Sequence, residues 1–145
     1  MEEYLKIIYF ITGMLLVVLS VEDIRYKAVP VWQVVIFGVI ALAGSGILVY
    51  KKALTFNEMA MGLIPGILMV IIALITGCFG VADGIVLAFI GTFMGVLKTL
   101  VILGGAFFIM SLFSVIGLAL GKIKLKYQMP FIPFMLVAFI RAAVI

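Results

Sequence analysis

Apolar positions fall in six long blocks, with none of the short alternating or two-faced patterns of a water-soluble fold. The blocks run Tyr4–Ser20, Val31–Tyr50, Met59–Gly77, Gly84–Lys98, Leu100–Leu120 and Phe131–Ile145. About 20 apolar residues carry a helix across the hydrocarbon of a bilayer. Backbone in lipid must pair within its own segment or in a closed barrel, and the ten-residue alternating segments of a barrel are absent. The pattern predicts an all-α polytopic membrane protein, a bundle of six transmembrane helices. Residues 1–145 read as a single six-span membrane domain with no soluble domain. The first block resembles a signal peptide, but Glu2 and Glu3 spoil the basic start and no Ala-x-Ala site follows, so it is read as a retained span.

The breaks hold the residues that breaks need. Glu22, Asp23, Arg25 and Lys27 precede Pro30, which biases Val29 away from helix. Lys51–Glu58 is polar, and Thr55-Phe56-Asn57-Glu58 matches a capping box. Gly77–Asp83 is glycine-rich. The fourth break, placed between Lys98 and Gly105, is the weakest. The last holds Lys122, Lys124 and Lys126, then Pro130 and Pro133. Gly62/Gly66, Gly80/Gly84, Gly91/Gly95 and Gly117/Gly121 repeat at i, i+4. Such pairs let helix backbones approach; they read as packing residues and leave a homodimer open.

Composition narrows the chemistry. Of the 145 residues, 68% are hydrophobic and 11% charged, which no compact soluble domain or disordered chain carries. The net charge of +4 comes from basic residues in the loops. They read as anchors to membrane lipid and not as a nucleic-acid surface. There is no histidine, and Cys78 is the only cysteine. Disulfide scaffolds, Cys/His metal sites and Ser-His or Cys-His catalysis are thereby excluded. Cys78 reads as a packing residue, and Trp32, Tyr4, Tyr26, Tyr50 and Tyr127 as an interfacial aromatic belt. Carboxylates remain as the main candidates.

Six acids are present. Glu2 and Glu3 lie at the terminus, Glu58 belongs to the capping box, and Glu22 reads as an interfacial charge. Asp23 ends the first span and Asp83 opens the fourth, so in a six-span bundle both fall on the same membrane face. Position alone leaves two readings of each. Asp83 could be the N-cap of its helix, and Asp23 a solvated charge paired with Lys27. Alternatively the two form an aspartyl dyad. Close carboxylates cannot both ionise cheaply and so share one proton. One then draws a proton from water while the other donates to a scissile carbonyl. Such hydrolysis needs neither metal nor cofactor.

Ser20-Val21-Glu22-Asp23-Ile24-Arg25 with Val29-Pro30 resembles the first aspartate motif of the type IV prepilin peptidases. Gly80-Val81-Ala82-Asp83 is similar to their Gly-x-Gly-Asp motif, and Met129-Pro130-Phe131-Ile132-Pro133-Phe134 to the Pro-Phe-x-Pro-Phe segment that opens their last span. The resemblance implies an intramembrane aspartic protease that cuts the leader peptide of type IV pilin-like precursors on the cytoplasmic side of the cell membrane. Asp23 and Asp83 would be the catalytic pair. Ser20, Arg25, Pro30, Gly80, Ala82, Pro130 and Pro133 would be supporting motif positions. The chain resembles the short, protease-only form of tight-adherence (Flp) pili and archaeal preflagellin systems, without the N-methylating region. Three positions depart from the pattern. Ala82 replaces the second glycine and resists positive φ, Ile85 stands where a lysine is common, and Val31 where Asn or Asp follows the proline.

The segments Gly77–Gly84 and Pro130–Pro133 are expected to line the cleft beside the dyad. Ser20, three residues before Asp23, would bond either that carboxylate or its own helix backbone. Arg25, Lys27, Lys122, Lys124 and Lys126 share the face of the aspartates and read as lipid anchors. Lys6, Lys51, Lys52, Lys98 and Arg141 lie opposite. The two sets are equal, so the positive-inside rule gives no orientation; the cytoplasmic placement follows from the resemblance. Two other functions fit a small membrane protein with intramembrane acids: a proton- or ion-coupled transporter, or an inactive homologue that scaffolds pilus assembly.

Overall fold

The computed structural model describes residues 2–77, 79–122 and 129–144. Cys78, Lys124, Lys126, Tyr127 and Ile145 lie outside the described residues. The described chain is helical throughout: α1 (Glu2–Tyr26), α2 (Val31–Tyr50), α3 (Phe56–Gly62), α4 (Ile64–Thr76), α5 (Val81–Met94), α6 (Val96–Ala119) and α7 (Ile132–Val144). By length and composition, α1, α2, the α3–α4 rod and α6 can each cross a membrane, while α5 and α7 are shorter apolar helices. The protein is an all-α polytopic membrane protein.

Each end has a local cause. The capping box forms: Thr55 N–H donates to Glu58 Oε2 at 2.9 Å, and Glu58 N–H to Thr55 Oγ1 at 3.3 Å. The third span is two helices because Pro65 lies in the first turn of α4 and has no N–H to continue the ladder. The break between spans four and five falls at Gly95, with φ 83°, and not between Lys98 and Gly105. Charge pointed to Lys98, but only glycine takes this backbone conformation without strain. Gly95 and Gly121 are therefore turn residues, with open space around them and no packing partner.

α5 is the axis of the bundle, buried along most of its length from Asp83 to Met94. It packs against α2, α3, α4 and α6, whereas α1 packs chiefly on α7 and α2, and α7 also on α6. Glycine sets how close α5 lies to the third span. A Cβ on Gly62 would strike the Gly91 carbonyl, and one on Gly66 the Ala88 backbone. On the other side, the Ser45 and Thr92 hydroxyls meet at 2.6 Å and join α2 to α5 within the apolar interior. At one end of the bundle, Lys51 lies over the Tyr4 ring and Lys98 over the Tyr9 ring. That end is opposite the aspartates.

Candidate active site

The two sequence-distant aspartates line one cavity of about 310 Å³. They enter it from different helices: Asp23 from the last turn of α1, Asp83 from the first turn of α5. Both are buried, at 6% and 7% exposure. Burial of two acids at the ends of apolar helices is costly unless each finds polar partners.

The partners differ. Asp83 is held by its own turn. The N-cap of α5 is Gly80, not Asp83, and the Asp83 carboxylate lies against Gly80. A Cβ on Gly80 would stand 3.1 Å from Asp83 Oδ2. Gly80 has φ −72°, a conformation open to any residue; glycine is needed here for space. Ala82 lies within α5 and is not among the residues of positive φ. The conformational objection to alanine there does not apply. Asp23 is held from across the bundle: Ile132 N–H, at the start of α7, donates to Asp23 Oδ2 at 3.2 Å.

The rest of the lining comes from the starts of two helices, with the residues that lead into them, and from one turn. Phe79–Asp83 and Met129–Phe131 form two walls, as expected for the glycine-rich and proline-rich breaks, and Lys27, Ala28 and Val29 form the third. Phe79 and Phe131 line the cavity, and Phe107 packs against both rings, with centroids 5.3 Å from Phe79 and 5.2 Å from Phe131, which are 6.3 Å from each other. Phe107 lies midway along α6, so the second half of α6 runs on beyond the level of the site.

Several expected positions fall elsewhere. Ser20 bonds neither Asp23 nor its own helix; its hydroxyl is buried without a hydrogen-bond partner among the described residues. Arg25 is exposed and stacks on the Tyr26 ring. Pro30 is the N-cap of α2, and Pro133 belongs to the first turn of α7; neither lines the cavity. Lys27, read from sequence as a lipid anchor, is instead part of the lining, in a left-handed turn with φ 52°. Phe79 and Phe107 carried no sequence signal, since a phenylalanine in an apolar block looks like any other. Ile132 contributes a backbone group, which residue type does not announce. Among the described residues no group of three or more Cys, Asp or Glu side chains could hold a metal.

A family model for the type IV leader peptidases matches residues 10–115, most of the chain and both aspartates. The chain belongs to the type IV leader peptidase family. No curated protein and no solved structure matches it. As a type IV leader peptidase it is a membrane protease. The matched span stops short of Met129–Phe134, so the α7 segment enters the site on geometry and not on the family match.

Proposed function

We propose that this protein is an aspartic endopeptidase that removes the leader peptide from type IV pilin-like precursors, at the cytoplasmic face of the cell membrane. Asp23 and Asp83 are the catalytic pair. The observation that carries the reading is that the two buried carboxylates share one cavity while entering from separate helices. The cavity volume of about 310 Å³ leaves room for a water, about 30 Å³, beside an extended stretch of peptide.

The chemistry follows from one proton shared by two acids. The ionised carboxylate takes a proton from water as the water oxygen adds to the scissile carbonyl carbon. The protonated partner gives its proton to the carbonyl oxygen as that oxygen gains charge. The tetrahedral intermediate then collapses: the C–N bond breaks, the leaving nitrogen takes a proton from the now-protonated carboxyl, and one hydroxyl of the diol returns its proton to the other carboxylate, which restores the singly protonated pair. A peptide bond within a helix is protected by its hydrogen bonds, so the substrate must be extended where it enters. The non-helical residues Phe79–Gly80 and Met129–Phe131 in the walls suit an extended chain.

Conservative Asp23→Asn and Asp83→Asn variants test this with a co-expressed type IV pilin precursor. Each is expected to lower cleavage by about 10²–10⁴-fold, the usual worth of a positioned acid or base. Retained cleavage in either variant would falsify the dyad. Solute flux abolished by one substitution, without precursor cleavage by the unaltered protein, would favour a transporter.

A further inference from the structure

The Asp23 carboxylate accepts a hydrogen bond from another helix, 109 positions away in sequence. The donor is a main-chain amide, Ile132 N–H, and the adjacent Phe131 amide also faces the same carboxylate. These two amides are bracketed by Pro130 and Pro133, neither of which has an N–H. Ile132 is the first residue of α7, so its N–H has no acceptor within the helix. The segment thus offers two adjacent donors that no helical carbonyl claims, flanked by two residues that cannot donate, at the helix end that favours an anion. Phe131 and Ile132 are themselves fully packed, at 2% and 0% exposure, so the amides have a fixed direction. The Phe131 ring is locked against Phe79 and Phe107.

We infer that the start of α7 is a positioning element for catalysis: the Ile132 amide fixes the Asp23 carboxylate opposite Asp83. This rests on Asp23 and Asp83 being the catalytic pair. Ile132 is a positioning residue, since it acts through Asp23. The Asp23 side chain stands on α1, but its oxygen is aimed by α7, so the alignment of the dyad is set by how α1 and α7 pack. Asp83 stands instead in the first turn of the central helix, with its carboxylate against Gly80.

Removing the amide without removing the acid tests this. Ile132→Pro deletes the N–H at the first helical position, where proline is best tolerated. Ile132→Ala keeps the N–H and loses more of the buried side chain. With a purified type IV pilin precursor in detergent, Ile132→Pro is expected to lower kcat by about 10- to 100-fold, the factor for a hydrogen bond to a charged group. KM should stay within about twofold of the unaltered enzyme, because the amide meets Asp23 and not substrate. Ile132→Ala should melt earlier and, because the donor remains while its packing is loosened, lose clearly less kcat than Ile132→Pro. If Ile132→Pro does not accumulate, a backbone ester at position 132 removes the same N–H with the isoleucine side chain intact. Unaltered kcat in Ile132→Pro or in the ester overturns the inference, as does an equal kcat loss in Ile132→Ala. Cleavage surviving in Asp23→Asn would overturn the dyad instead, so the two failures are distinct.

Discussion

The two aspartates share one cavity but are secured in opposite ways. Asp83 is a local construction. Gly80 caps its helix and leaves space for the carboxylate, and α5 is wedged against α3 and α4 where Gly62 meets Gly91. Asp23 is a long-range construction. Its helix packs on α7 and α2, and its oxygen is aimed by the first amide of α7. A dyad made this way has one member on the most buried helix and one that depends on packing between two outer helices. Asp83 is thus the fixed reference, and the alignment of the pair is exposed to any change that shifts α1 against α7.

The largest expected effect treats the two acids as one unit. A double Asp23→Asn, Asp83→Asn variant should cleave no worse than either single one, each down by about 10²–10⁴-fold, because groups acting together are not additive. A double variant far below both singles would mean that the acids work separately. Next comes the wedge. Gly91→Ala forces a methyl against the Gly62 carbonyl, and overpacking between two backbones should cost about 3 kcal/mol. Thermal unfolding in detergent reads this directly, and an unchanged midpoint would show that α5 is not clamped there.

Gly80→Ala is smaller and more specific. The added methyl would lie 3.1 Å from Asp83 Oδ2, so the carboxylate must swing aside, for a loss of about tenfold in kcat, or about 1.4 kcal/mol. Stability should change little, because position 80 already has an ordinary backbone conformation. The smallest effect is at the departure from the family pattern. Ala82→Gly restores the second glycine, yet position 82 is helical. It should gain no activity and lose about 0.5–1 kcal/mol of stability. A several-fold rise in cleavage would show that Ala82 hinders the site after all.

Side-chain type explains how far the site was legible in the sequence. The apolar blocks match α2, the α3–α4 rod and α7 closely, and the capping residues Thr55 and Glu58 did what their spacing predicts. The common end of Asp23 and Asp83 follows from helices that reverse direction. The fourth break was misplaced because Lys98 is conspicuous, while Gly95 looks like the other glycines of an apolar helix until its φ is known. The cavity residues Phe79 and Phe131, and Phe107 packed against them, are apolar within an apolar chain, so hydrophobicity cannot single them out. Lys27 looked like any interfacial cation; only its left-handed turn brings it to the lining. The Ile132 amide is the least legible, because every non-proline residue has one.

Helix length has a consequence for the surrounding lipid. α5 has 14 residues and α7 has 13, which rise about 21 and 20 Å, against a hydrocarbon layer of about 30 Å. Both begin at the dyad, beside the 24-residue α6, which continues past it. α5 is enclosed by other helices, so it is beside α7, whose Val137 and Ile140 are exposed, that the leaflet on that side would thin or admit water. Such hydrophobic mismatch would bring the aqueous phase down to the acids, supplying the nucleophile without an open pore through the bundle.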